Sequence, residues 1–159
     1  PNNLLIQKPD GTFEEVGDKA GVASMAVSRG AALTDLNRDG LVDLVVVNRQ
    51  ADAQVWRNTT PDAGNFLDIK LVQPGANRDA IGAWVEVKCG EHIMRREVTI
   101  GGGHAGGSLG WRHFGIGDLD KTEVRVIWPD GKPGDWQGVD ANKFYVIARD
   151  KVPEVWTAR

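Results

Sequence analysis

Short segments that alternate between apolar and polar residues, separated by turns, constrain the fold of this chain more than any other feature. In residues 122–128 the side chains of Val124, Val126 and Trp128 fall on one face of an extended chain. Similar segments recur at intervals of about 8 to 12 residues, with Pro-Asp-Gly and glycine-rich sequences between them. The pattern predicts an all-β fold, an antiparallel β-sandwich or barrel, and we identify no helix.

The composition agrees with such a fold and argues against several classes of protein. The 159 residues include 20 glycines and 7 prolines, which favour turns over helices. The net charge is −3, and no basic stretch indicates nucleic acid binding. The single cysteine, Cys89, cannot form an intrachain disulfide and is expected to be a buried thiol. No apolar run approaches the roughly 20 residues that span a membrane, no signal peptide is visible, and a start at Pro1 is typical of a fragment.

Residues 35–43 have the spacing of a calcium-binding loop. Side-chain oxygens stand at loop positions 1, 3, 5 and 9 (Asp35, Asn37, Asp39 and Asp43), with Gly40 at position 6. Ca²⁺ takes six to eight oxygen ligands, and the main-chain carbonyl of position 7, here Leu41, is a common one. Position 12 is Val46 rather than a bidentate glutamate, so the loop is not an EF-hand. We predict that Ca²⁺ binds to Asp35, Asn37, Asp39, Leu41 and Asp43; a solvated polar turn is the alternative.

Two further patterns suggest ligands but have better explanations. Gly101-x-Gly103-x-x-Gly106 matches a dinucleotide-binding fingerprint, but more glycines follow it, and no βαβ unit surrounds it. A glycine-permitted loop is therefore the preferred interpretation. The three histidines, His92, His104 and His113, match no zinc-binding spacing.

The sequence allows several catalytic arrangements but establishes none of them. Ser108 could act with His104 or His113, yet no Gly-x-Ser-x-Gly elbow is present, and no pair of carboxylates is singled out. We predict a chain without catalytic activity, and an enzyme with its site near residues 101–113 is the alternative.

The six tryptophans are expected to be packing residues, although contact with a sugar or a protein is the alternative. Trp84 breaks the inward alternation of Ala83 and Val85, so it is expected on the opposite face of its strand.

Residues 1–58 resemble the FG-GAP/VCBS repeat of β-propellers. The resemblance rests on Asn3-Leu4-Leu5, on Asp10-Gly11-Thr12-Phe13 and on the loop 35–43. It implies that this loop lies between the first two strands of a propeller blade and binds Ca²⁺. The apolar run Leu41–Val47 that follows predicts a strand covered on both faces.

Residues 65–148 resemble the ASPIC/UnbV domain, which follows such repeats in the cartilage acidic protein family. The matching segments are Asn77-Arg78-Asp79-Ala80-Ile81-Gly82-Ala83, Arg96-Glu97-Val98, Gly101-Gly102-Gly103, His113-Phe114-Gly115-Ile116-Gly117 and Trp128-Pro129-Asp130-Gly131-Lys132. Where the family usually has an aromatic residue followed by Ser-Gln, this chain has His104-Ala105-Gly106-Gly107.

These observations predict a propeller-type repeat fragment over residues 1–60, an ASPIC/UnbV-type β-domain over 65–150 and a tail over 151–159. The expected function is that of a secreted, non-catalytic, calcium-binding module for recognition or adhesion, extracellular or periplasmic. The expected partners are an unknown protein or glycan and the neighbouring propeller blades of a longer chain, but no nucleic acid. A carbohydrate-active enzyme and a structural cap for a propeller are the alternatives.

Overall fold

A computed structural model describes residues 1–102, 104 and 106–157. Within them the chain forms β-strands and no helix, so the prediction of an all-β fold is confirmed. The strands are β1 (Leu5–Gln7), β2 (Phe13–Glu15), β3 (Ser28–Thr34), β4 (Asp43–Asn48), β5 (Gln54–Trp56), β6 (Asn65–Val72), β7 (Trp84–Cys89), β8 (His92–Glu97), β9 (Arg112–Gly117), β10 (Lys121–Ile127), β11 (Gln137–Asp140), β12 (Lys143–Ala148) and β13 (Glu154–Val155). This described part contains no helix that could cross a membrane. The sequence patterns above also include Gly103, Ala105, Ala158 and Arg159, which lie outside the described residues.

Strands β6 to β13 form two four-stranded sheets, with strand orders β11-β10-β7-β8 and β13-β12-β6-β9. Buried side chains from both sheets form one cluster, so the predicted β-sandwich is confirmed. The strand pairs are antiparallel with one exception, since β12 lies parallel to β6 and places Lys143 beside Leu67. No tight turn can join parallel neighbours. Residues 73–142 therefore form one long connection between them.

The core of the sandwich follows from the alternation of the strands. Leu67, Ile69 and Leu71 of β6 are at most 3% exposed. Val124 and Val126 of β10 join the same cluster from the other sheet and are equally buried. Each such side chain stabilises the fold by about 1.5–3 kcal/mol when it leaves water.

The hairpin of β7 and β8 agrees with the sequence in detail. Cys89 pairs with His92, so Gly90-Glu91 form a two-residue turn, and Gly90 has the positive φ of 62° that such turns require. Trp84 is 36% exposed whereas Val85 is fully buried, which confirms that Trp84 lies on the opposite face. Cys89 is half-buried against the core, and burial raises the pKa of its thiol.

The first part of the chain forms two small sheets. β1 pairs with β2, and β3, β4 and β5 form a three-stranded sheet in that order. In the central strand Val46 is 5% exposed but Val47 is 53% exposed. The apolar run predicts that both faces of this strand are covered. Within this chain, the face that carries Val47 stays exposed.

Candidate functional site

The aspartate loop, defined here as residues 35–43, connects β3 to β4. Thr34 pairs with Asp43 across the two antiparallel strands, so the loop closes a hairpin. Asp35 organises it, because its Oδ1 accepts the N–H groups of Arg38 at 2.6 Å and Asp39 at 3.2 Å. Its Oδ2 accepts the N–H of Gly40 at 2.8 Å. The first predicted ligand therefore also fixes the turn of the loop.

Asn37 and Asp39 contact each other at the exposed side of the loop. Asn37 Nδ2 donates to Asp39 Oδ2 at 2.7 Å, and the N–H of Leu41 donates to Asp39 Oδ1 at 3.0 Å. Arg57 forms an ion pair with Asp39 at 3.0 Å. The hydrogen bonds from Asn37 and Leu41, followed by the one from Arg57, hold the pKa of Asp39 below its ordinary value.

Asp43 is the buried member of the set, at 2% exposed. Its Oδ2 accepts the N–H of Leu36 at 3.0 Å, and its Oδ1 accepts the N–H of Asn58 at 2.8 Å. These bonds tie the start of the loop to the residues that follow β5. Asp43 thus stabilises the whole three-stranded sheet.

The residue types of the loop fit a calcium ion. In this structure, however, the side-chain oxygens of the loop accept hydrogen bonds from N–H groups of the protein. Within the described ranges, no three acidic, histidine or cysteine side chains come together as a metal-binding group. A carboxylate oxygen that accepts one N–H still has a lone pair for a cation. To bind, however, Asn37 would have to present its amide oxygen to the ion, and Arg57 would have to leave Asp39. Calcium binding stays a prediction on this geometry.

The aspartate loop is docked on the sandwich. Gly40 is buried with φ +87°, and the ring of Phe66 occupies the space that a Cβ would take. The Arg38 guanidinium lies over the Trp156 ring, 4.7 Å from its centroid. Gly40 therefore allows both the turn of the loop and its close approach to β6.

A cluster of aromatic side chains on the sandwich contacts the docked loop through Phe66 and Trp156. Phe66 stacks on His113 with ring centroids 5.7 Å apart, and its edge meets Phe144. Trp111 contacts Phe144 and Trp156 edge to face, with centroids 5.2 and 5.4 Å apart. Aromatic packing is thus confirmed for Trp111 and Trp156.

Beside the docked loop lies a cleft of about 460 Å³. Its walls come from β3 and the start of the aspartate loop, from β6, β8 and β9, and from the glycine-rich segment. The lining includes Thr34, Asp35, Asp68, Arg96, Ser108, Trp111, Arg112 and His113. Asp35 is the member that the cleft shares with the predicted calcium ligands.

A histidine–aspartate pair lies on one wall of the cleft. His113 Nδ1 is 3.1 Å from Asp68 Oδ2, and the Asp68 side chain is 2% exposed. The two side chains share one hydrogen bond, whose direction is set by the tautomer of the imidazole. Ser108 lines the same cleft, but no hydrogen bond joins its hydroxyl to His113 in the described part of the chain. A catalytic role for this pair stays a hypothesis without an activated nucleophile.

Sequence reasoning named His113 and Ser108 as candidate site residues; it named Arg96 only within a family motif, and it gave Asp68 and Arg112 no role in a site. Asp68 is an unremarkable polar residue in an alternating strand, and its partner becomes visible only through the pairing of β6 with β9. The other two histidines lie apart from this pair, since His92 begins the exposed strand β8 and His104 is exposed in the glycine-rich segment.

Two packed four-stranded sheets, with an aspartate-rich hairpin docked on one of them, define an all-β sandwich domain preceded by two small sheets. A family model described as ASPIC and UnbV matches residues 73–154, just over half of the 159 residues. The chain belongs to the ASPIC and UnbV family, as predicted.

Curated relatives extend well beyond this chain. Over 129 residues it is 29% identical to cartilage acidic protein 1 of Mus musculus. The matched region covers 77% of this chain and 20% of that protein. The human protein of the same name is also 29% identical over 129 residues, with 19% of it covered. That of Xenopus tropicalis is 30% identical over 109 residues, which is 65% of this chain and 16% of that protein. The chain therefore spans about one fifth or less of the length of these relatives.

Proposed function

We propose that this chain is a secreted, non-catalytic recognition module in which Ca²⁺ stabilises the aspartate loop. The observation that carries the proposal is the docking of a loop with calcium-ligand spacing on the sandwich, through Gly40 on Phe66 and Arg38 on Trp156. An ion held by such a loop stabilises both the β3–β4 hairpin and its contact with the family domain. An extracellular or periplasmic location agrees with this, because calcium modules of low affinity act where Ca²⁺ is millimolar.

The ligands in this proposal are the side chains of Asp35, Asn37, Asp39 and Asp43 and the carbonyl of Leu41. Ca²⁺ supplies positive charge that offsets three carboxylates held close together in sequence. Arg57 provides part of that charge in the absence of the ion, through its 3.0 Å pair with Asp39. Calcium and Arg57 therefore compete for Asp39.

Calcium should raise the melting temperature of the chain, and Asp39→Ala should abolish the increase. For a dissociation constant of about 10⁻⁴–10⁻³ M, 10 mM Ca²⁺ adds roughly 1.4–2.7 kcal/mol of stability. For a chain of this size that corresponds to an increase of roughly 3–10 °C. Differential scanning calorimetry at equal ionic strength, with and without Ca²⁺, measures it.

Asp10→Ala is the matched control, because Asp10 caps an exposed turn outside the loop through Thr12. It should keep the full calcium response. An unchanged melting temperature for the wild-type chain in 10 mM Ca²⁺ contradicts the proposal.

We further propose that neighbouring propeller blades of a longer chain cover the three-stranded sheet. Leu33 is 64% exposed on one face, beside Leu44. On the other face, Val55 is 62% exposed beside its partner Val45. Apolar side chains exposed on both faces of one sheet are typical of a blade that packs between two others.

Backbone amides of β4 should therefore exchange faster in this chain than in a longer chain that includes the preceding residues. Hydrogen exchange followed by mass spectrometry compares the two directly. Amides of β10, in the sandwich core, are the internal reference and should exchange equally. Equal exchange of β4 in the two proteins would count against the proposal.

A further inference from the structure

Arginine side chains without an acidic partner lie on one wall of the cleft. Arg112 is 9% exposed, and no carboxylate of the described residues forms an ion pair with Arg112 or Arg96. The guanidinium of Arg112 donates instead to the carbonyls of Glu97, Thr99, Ser108 and Trp111. These bonds use four of the five N–H groups of an arginine and leave one on Nη1. A buried cation is usually offset by an anion, which here is absent from the described protein groups.

The second arginine adds to this positive charge. Arg96 lines the cleft with Arg112, and its guanidinium lies 5.6 Å from the centroid of the Phe114 ring. Burial, followed by the nearby charge of Arg96, holds the pKa of Arg112 below its ordinary value. The charge of Arg96 therefore disfavours the charged form of Arg112, and an anion bound in the cleft that both line would offset this repulsion.

The acidic groups of the cleft are engaged elsewhere. Asp68 shares a hydrogen bond with His113, with Oδ2 and Nδ1 3.1 Å apart. Asp35 accepts three N–H groups of its own loop. Neither carboxylate is the partner of Arg96 or Arg112 in the described structure.

We propose that this cleft binds the carboxylate or sulfate group of an acidic saccharide, with Arg96 and Arg112 as its cationic partners. Arg96 offers such an oxyanion the planar fork of an arginine, and Arg112 offers its remaining Nη1 N–H group and its charge. The volume of about 460 Å³ lies in the range of small-molecule sites and suits one or two sugar rings. The hydroxyl groups of Thr34 and Ser108 provide polar contacts, and Trp111, whose ring packs against Phe144 and Trp156, also lines the cleft.

The edge of β3 argues for a compact ligand over an extended acidic peptide. An added peptide strand would need the main chain of β3 to be accessible. Gly106 packs against that edge, since a Cβ on it would lie 3.4 Å from the carbonyl oxygen of Ala31. Gly106 therefore occupies the edge of β3 beside Ala31, where a peptide strand would pair, and the arginine wall is the place for a ligand.

The cationic partners of this site lie outside the aspartate loop, so its binding can be measured without calcium although Asp35 lines the same cleft. Isothermal titration calorimetry of the chain in EDTA and low salt, with a sulfated heparin tetrasaccharide as the probe, tests it. We expect measurable binding that weakens as salt increases, and about tenfold weaker binding for Arg96→Gln. Arg112→Lys keeps the charge but loses the Nη1 N–H group that the carbonyls leave free, so it should also weaken binding. It is compared only after its circular dichroism matches that of the wild type.

Arg78→Gln is the matched control, since Arg78 is exposed, lies outside the cleft and undergoes the same change of charge. It should bind like the wild type. Three results would overturn the proposal: equal binding by Arg96→Gln and the wild type, equal binding of the neutral tetrasaccharide maltotetraose, or binding of polyglutamate without binding of the sulfated probe. A failed calcium titration leaves each of these outcomes unaffected.

Discussion

Alanine in place of Gly40 should lower the free energy of unfolding by about 2–4 kcal/mol, as the sum of two costs. A side chain at φ +87° is strained, and its Cβ would overlap the ring of Phe66. The ring would have to turn away from His113, with which it stacks. The aspartate loop would then lose its contact with the sandwich. Urea unfolding followed by tryptophan fluorescence measures the loss, because Trp111 and Trp156 lie in the aromatic cluster.

Gly11→Ala separates the two costs. Gly11 has a similar φ of +82°, but nothing lies within 4 Å of the position its Cβ would take. It should lose only about 1 kcal/mol, the cost of the strained backbone. Equal losses for the two variants would mean that the contact of Gly40 with Phe66 contributes nothing to stability.

Glutamine in place of Glu86 should lower the free energy of unfolding by about 2–3 kcal/mol at neutral pH. The side chain of Glu86 is 3% exposed, and its carboxylate binds Arg95 and Arg125, with Arg95 Nε 2.7 Å from Oε1. Glutamine keeps the shape of the side chain but loses its negative charge, and it can accept hydrogen bonds only through its single oxygen. Two guanidinium groups are then left beside a neutral amide, each still partly open to water. Thermal or urea unfolding at pH 7 measures the effect.

In the same variant, the free energy of unfolding should depend less on pH in the acidic range than it does in the wild type. Burial alone would raise the pKa of Glu86, but the bonds from Arg125 and Arg95 hold it below its ordinary value of 4.5. A carboxyl with a lowered pKa in the folded state stabilises the fold fully above pH 4.5 and loses that contribution as the pH falls further. Glu91→Gln, in the exposed hairpin turn, is the matched control. A wild-type curve parallel to that of Glu86→Gln between pH 5 and about pH 3 would refute this account.

Local periodicity is sufficient to predict much of the sandwich. The alternation through Leu67, Ile69 and Leu71 fixes both the strand and its inward face, because side chains of a strand alternate and one face must leave water. The turn at Gly90-Glu91 is equally local. Signals of this kind depend on residues a few positions apart, so no knowledge of the distant chain is needed.

Features that depend on distant pairing could not be predicted in this way. Glu154–Val155 is too short to show a period, yet it pairs with Tyr145 and Val146 at the edge of a sheet. Asp68 stands between inward residues, which predicts that it faces solvent, but it is 2% exposed and contacts His113. The cationic wall of the cleft likewise requires β8 and β9 to be placed together. Spacing predicts calcium binding by the loop, whereas its contacts with the sandwich, through Gly40 on Phe66 and Arg38 on Trp156, are visible only in the structure.

The parallel pairing of β6 with β12 also sets the order in which the domain can be made on the ribosome. β6 emerges early, but its neighbour β12 follows only after residues 73–142 have been synthesised. Until then β6 cannot join its complete sheet, and its apolar face is protected from aggregation only by chaperones or by transient contacts. Folding of this domain is therefore late and slow, as expected for a topology of distant contacts. A chain interrupted before Lys143 would leave the sheet without its central pair.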